Sequence, residues 1–167
     1  MNLKQGGKGM PWTLKDCASA LKQTDLRFNH DETDQVIRLV FVTSSYQNRR
    51  GEHLAVVTAA VLDLGQRLRV SIERAIEVDN DPAATCLLAC RFAAAMPLVG
   101  VEYDDEFENL RLVPDVPIAD GSLTPLQLRT MVERLVDAAE VWQALSDRNR
   151  GDGWVLPGPD KLSEKVA

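Results

Sequence analysis

Two apolar, β-branched runs, Gln35 to Thr43 and His53 to Leu62, flank a polar stretch that carries Asn48-Arg49-Arg50-Gly51. They read as paired strands joined by a hairpin-like connection. Side chains alternate across a strand, so Val36, Val40 and Val42 share one face while Ile37, Leu39 and Phe41 share the other. In the second run Leu54, Val56 and Leu62 oppose Val57, Ala59 and Val61. A sheet covered by helices on one side alternates apolar with polar, and these two strands do not. They require cover on both faces. The candidates are a second copy of the chain, the segment Trp154-Val155-Leu156, a client segment, or helices of the same chain wrapped on both sides. Closed two-fold pairing is the commonest way to bury such a patch. The reading is therefore a homodimer, with Val36, Val40, Val42, Val56, Trp154 and Leu156 as the candidate dimer or partner surface.

The remaining elements follow from caps and periodicity. Thr13 and Asp16 mark a helix start, and Leu14, Cys17, Ala18 and Leu21 form its apolar face, predicting a helix over about 13–23. Leu26-Arg27-Phe28 reads as a brief strand before the polar turn Asn29 to Asp34. Leu68, Val70 and Ile72 alternate with Arg67, Arg69, Ser71 and Glu73, which predicts a strand with one wet face. Asn80-Asp81-Pro82 opens a helix that Met96-Pro97 closes, and its Ala, Leu and Cys content marks it as the most buried helix. Val99 to Tyr103 and Asn109 to Val113 form a hairpin over the acidic turn Asp104 to Glu108, after which Pro114 and Pro117 end pairing. Thr124-Pro125-Leu126-Gln127 starts the last helix, with Leu123 placed to staple against Leu128. The stripe Leu128, Met131, Val132, Leu135, Ala138, Ala139, Trp142 and Leu145 carries this helix to about Asp147. The order α-β-β-β-β-α-β-β-α gives an α+β fold, an antiparallel sheet of meander plus hairpin packed with three helices. Residues 1–10 are expected as a flexible leader, 11–148 as a single domain and 149–167 as a C-terminal tail.

The run Ala84 to Met96, the strand Val99-Gly100-Val101-Glu102-Tyr103-Asp104, the return strand Leu110-Arg111-Leu112, the Pro117 region and the helix opening Leu123-Thr124-Pro125-Leu126-Gln127-Leu128 together resemble the YbjN-like family. The resemblance covers about half of the chain and rests on element order and apolar pattern. It implies a fold similar to that of type III secretion chaperones, a commonly dimeric state, and a role in sensory-transduction regulation or as a chaperone-like adaptor. It implies no catalytic residues. The stretch from Gly151 to Ala167 departs from the family pattern.

Composition narrows the function classes. The 167 residues carry 19 Lys and Arg against 25 Asp and Glu, a net charge of −6, which disfavours nucleic acid as a partner because phosphate-backbone binding needs clustered cations. Three Trp, two Tyr and four Phe leave little material for base stacking or aromatic cages. The longest apolar run, Cys86 to Met96, is interrupted by Arg91 and is shorter than a membrane span. No apolar stretch of signal-peptide length follows the first ten residues, so a cytoplasmic location without membrane association is expected.

Chemistry-bearing residues are sparse. Cys17, Cys86 and Cys90 read as buried free thiols, and His30 and His53 lie in segments too far apart to complete a zinc site with them. Neither histidine stands near a serine in a nucleophile elbow, and Gly6-Gly7-Lys8-Gly9 follows no strand and opens no helix. Glu102, Asp104, Asp105, Glu106 and Glu108 form a solvated hairpin tip that lacks the glycine bend of a calcium loop and at most steers a basic partner. Arg49, Arg50, Arg67 and Arg69 read as a solvated or ion-paired strand face. The expected protein is thus a non-catalytic protein-binding module without cofactor or metal, whose partners are itself and a client or regulatory protein. The alternative is a regulator sensing a small ligand between the sheet and the last helix, near Trp142.

Overall fold

A computed structural model describes residues 11–78, 81–118 and 123–152. The elements are α1 (Leu14–Leu21), β1 (Asn29–Asp31), β2 (Val36–Val42), β3 (Leu54–Leu62), a single 3-10 turn (Asp63–Gly65), β4 (Arg67–Glu77), α2 (Pro82–Ala95), β5 (Gly100–Asp104), β6 (Asn109–Val113), β7 (Asp115–Pro117) and α3 (Pro125–Asp152). The expected order holds, with β7 added between the hairpin and the last helix.

Each helix starts where its capping residues stand. Thr13 Oγ1 accepts from the Asp16 N–H (3.2 Å) while Asp16 Oδ2 accepts from the Thr13 N–H (2.9 Å), a complete capping box. The Thr13 hydroxyl bond, chiefly, holds the Asp16 carboxyl below its ordinary pKa. Asp81 Oδ1 accepts from the Ala84 N–H (3.0 Å) ahead of Pro82. Thr124 and Gln127 repeat the reciprocal pattern at α3 (2.9 and 3.2 Å).

All strand pairs are antiparallel, in the order β1-β2-β3-β4-β6-β5, with β7 paired to the first residues of β4. One face of this sheet is the core side. Ile37, Leu39, Ala55, Val57, Ala59, Leu68, Val70 and Leu112 are fully buried there, under the α3 stripe of Leu128, Val132, Leu135, Ala138 and Ala139. Helix α3 packs on β3, β4 and β6, α1 packs on α3 and β2, and α2 packs on β5. Phe92 of α2 meets Trp142 of α3 edge to face, with ring centroids 5.5 Å apart, which locks the two helices together.

Five local readings change. The first strand is Asn29–Asp31 rather than Leu26–Phe28, because the turn is set by Asp31, whose side chain accepts from the Thr33 and Asp34 N–H groups. Pro117 does not end pairing: it lies opposite Arg67, and the Ile118 N–H donates to the Gln66 carbonyl at 2.6 Å. A proline is tolerated on a short outer strand whose missing donor faces away from the ladder. Helix α2 buries only Thr85, Leu88, Ala89 and Phe92, so it is not buried all round: Leu87, Cys90 and Arg91 face solvent, and Cys86 is half-buried. Of the three thiols Cys17 alone is buried, and burial pushes its pKa up to about 12. Helix α3 continues past Asp147 to Asp152 and takes in the first residues assigned to the tail.

Candidate functional site

The face of the sheet opposite the helices divides into two halves. On β2 and β3, Val40 lies directly across from Val56 and Val42 across from Leu54. Val42 is 86% exposed, Val40 60% and Val56 39%, while Val36 and Leu54 are half-buried. On β4, β6 and β5 the same face is ionic. Arg69 pairs with Glu102 at 3.0 Å, and Arg111 reaches Asp104 (3.1 Å), Glu73 (3.3 Å) and Glu102 (3.7 Å). Between the halves, the Thr58 and Ser71 hydroxyls meet at 2.8 Å and Ser71 Oγ donates to Glu73 at 2.6 Å. Arg67 and Arg69 thus belong to an ion-paired face, Arg67 forming an ion pair with Asp63 at 2.9 Å, and Arg49 pairs with Glu77 at 3.1 Å.

Of the four valines singled out from sequence, Val40, Val42 and Val56 adjoin one another with no cover from the described helices, while the half-buried Val36 is separated from Val40 on the same face by Arg38, which pairs with Asp31 and Asp34. Trp154 and Leu156 lie outside the described residues. The patch also has an open edge among the described residues: the β1–β2 ladder ends at Asn29 opposite Arg38, so Leu39 to Val42 continue without a strand partner on that side among them. Where β2 stops, α3 holds the chain. The Glu140 carboxylate accepts from the backbone N–H groups of Ser44, Ser45 (2.7 Å) and Tyr46 (2.9 Å) and from the Ser45 hydroxyl. Partial burial raises its pKa, and the Ser45 hydroxyl with the three N–H groups outweighs this and leaves it lowered. The Tyr46 phenol is itself buried and, by burial and the nearby Glu77, pushed to about 12.

Two of the concavities among the described residues bear on function and stand apart from the patch. One, about 170 Å³, lies beside Trp142 where Gln143 and Ser146 of α3 face Arg49, Arg74 and Glu77. Its walls are mostly polar, and Arg74 is already engaged, its guanidinium 3.6 Å from the centroid of the Phe107 ring. The other is an apolar groove of about 680 Å³ between the start of β5, β7 and the first two turns of α3. The sequence pointed to the first and missed the second. The available signal was Leu126, an apolar residue in the opening turn of α3 that stands off its buried stripe, together with Leu98 after Pro97.

No group of three or more His, Cys, Asp or Glu is placed to hold a metal ion among them. His53 lies 3.2 Å from the Gln47 amide and His30 sits exposed in β1. No helix among the described residues is long and apolar enough to cross a membrane.

An antiparallel sheet with three helices on one face and an uncovered apolar half on the other makes this an α+β domain of the YbjN-like fold. The chain is similar to YbjN from E. coli, with 16% identity, a TM-score of 0.54, and coverage of 83% of this chain and 95% of that one. It is similar to the same degree, 16% identity and TM-score 0.54, to a chain of the ExsC–ExsE complex, covering 79% of this chain and 91% of that one. The HopA1–SchA chaperone–effector complex aligns at 18% identity with a TM-score of 0.49, over 78% of this chain and 90% of that one. No protein-family model and no curated protein matches the sequence.

Proposed function

We propose that this chain is a non-catalytic protein-binding module, chaperone-like or adaptor-like, that works as a cytoplasmic homodimer. The observation that carries the reading is the Val40, Val42 and Val56 patch, displayed on a sheet whose other face carries the core under the helices. Exposed valines in register on neighbouring strands are costly to leave in water and easy to cover by a flat apolar partner. The free edge of Leu39 to Val42 adds main-chain donors and acceptors, so a second β2 can pair there across a two-fold axis. The ExsC–ExsE complex, in which a chain of this fold is found with a partner protein, supports a binding role.

Light scattering tests the dimer. The wild-type chain is expected at twice the chain mass at micromolar concentration, and Val40→Asp with Val42→Asp at the mass of one chain. A wild-type mass of one chain removes the reading. The Trp142 cavity favours a second reading, a small-ligand sensor, but at about 170 Å³ it falls short of the roughly 300–1,000 Å³ typical of ligand pockets. A thermal-shift screen with small polar metabolites and metal ions that leaves the melting temperature unchanged rejects it.

A further inference from the structure

Helix α2 carries two free thiols on one flank. Cys86 is half-buried at the margin of the core and Cys90 is exposed. Four positions apart in an α-helix, they lie one above the other with Cβ atoms about 5–6 Å apart. The residues above and below them on this flank are small: Ala83 and Ala94 are exposed and Ala93 is half-buried. Leu87 stands beside the pair as its one bulky neighbour on the helix surface.

This spacing decides the chemistry. A disulfide needs its Cβ atoms about 3.5–4.5 Å apart, so the intact helix holds these sulfurs short of bonding to one another. A metal ion between two thiolates, at about 2.3 Å from each, sets the sulfurs about 4–5 Å apart, which rotation about the two Cα–Cβ bonds reaches from these positions. Donor count then selects the ion. Zinc takes three or four protein ligands, and no group of three or more His, Cys, Asp or Glu is placed to hold a metal among the described residues. Two thiolates alone are enough for a soft, closed-shell monovalent cation, and thiolate donors select Cu(I). On binding, each thiol releases its proton, so two protons leave and the centre carries a single negative charge. Helix α2 has no carboxylate to oppose that charge, and Arg91 is its one charged residue.

We propose that Cys86 and Cys90 form a two-coordinate thiolate site for a soft monovalent cation of the Cu(I) class. The site does not depend on the protein-binding reading, since it lies on the outer side of α2 while the valine patch lies on β2 and β3. Only the folded helix holds both sulfurs at this spacing, so the loaded chain is more stable than the free one. The third thiol takes no part: Cys17 is fully buried in α1.

The test uses the full chain, reduced and kept under nitrogen, and Cu(I) supplied as its coloured bicinchoninate complex. The wild-type chain is expected to withdraw one Cu(I) per chain, to gain a thiolate-to-copper charge-transfer absorption in the near ultraviolet, and to melt at a higher temperature when loaded. Cys90→Ser, a change at an exposed position, and Cys86→Ser are each expected to weaken binding at least about a hundredfold, because one thiolate loses the benefit of its tethered partner. Cys17→Ala is expected to bind as the wild type does. Cys90→Ser with Arg91→Cys keeps the number of thiols but moves the second one to about 140° round the helix from Cys86, and it is expected to bind as weakly as Cys90→Ser alone. Failure of the wild type to withdraw copper, wild-type affinity in Cys90→Ser, or recovery of affinity in the relocated variant overturns the site. A chain mass that doubles on loading and not before also overturns it, in favour of copper bridging two chains.

Discussion

Glu140 shows how one side chain couples distant parts of this fold. Its carboxylate gathers the three consecutive N–H groups that follow β2, and these donors otherwise have no strand to pair with. Hydrogen bonds to a charged group are worth about 1.5–3 kcal/mol where buried, and solvent at this half-buried site reduces that. Glu140→Gln is therefore expected to lower stability by about 1–2 kcal/mol at pH 7, read from urea unfolding midpoints. The sign with pH follows from the lowered folded-state pKa. The carboxylate's contribution is complete above the ordinary value of 4.5 and is lost as pH falls through the folded value, so the gap between wild type and variant closes on acidification. Gly65 offers a second single-residue test. Its φ is +89°, and a Cβ there would stand 2.5 Å from the Trp12 carbonyl oxygen and 2.8 Å from the Trp12 nitrogen, so Gly65→Ala is expected to cost about 1–3 kcal/mol. Gly51, at φ +72° with open space around it, tolerates Asn at little cost. Neither Glu140 nor the Trp12 contact was legible in the sequence. Each joins residues that local pattern cannot relate, 94 to 96 positions apart for Glu140.

At the scale of elements, what local physics controls was legible. Capping residues placed all three helix starts, and alternation at Leu68, Val70 and Ile72 placed the start of β4 on its inner face. The misreadings fall where tertiary context decides. The continuation of β4 to Glu77 runs through a bulge between Ile72 and Ile76, with Arg74 at φ +52°, which breaks the period of two. Strand β7 exists because Gln66 and the start of β4 supply partners that its own sequence, bounded by prolines, does not announce. Composition overstated the burial of α2, since Ala and Cys are compatible with either environment, and only the Phe92 side of that helix reaches the core. That narrow attachment carries a prediction. Phe92→Ala removes the ring that meets Trp142 and is expected to cost about 3–5 kcal/mol in denaturant unfolding. Leu87→Ala, on the exposed side of the same helix, is expected to change stability by less than about 0.5 kcal/mol.

For the whole molecule, the division of one sheet face into an ionic half and an apolar half decides how stability responds to concentration. The ionic half satisfies its charges internally through Arg69 and Arg111, so water covers it at little cost. The valine half has no such option, and its exposure was the part of the candidate site that the strand pattern made legible. A dimer that buries Val40, Val42 and Val56 binds only the folded chain, so association and folding are linked. Each tenfold rise in protein concentration then adds about 1.4 kcal/mol per dimer to apparent stability. The wild-type melting temperature is accordingly expected to climb across a hundredfold dilution series. Val40→Asp with Val42→Asp is expected to melt at a temperature independent of concentration, because those positions are solvent-facing in the single chain and their change leaves the core intact. Scanning calorimetry of both proteins reads this directly. A wild-type melting temperature that does not move with concentration means that the valine patch stays in water at these concentrations, and it rules out the β2 face as a two-fold interface.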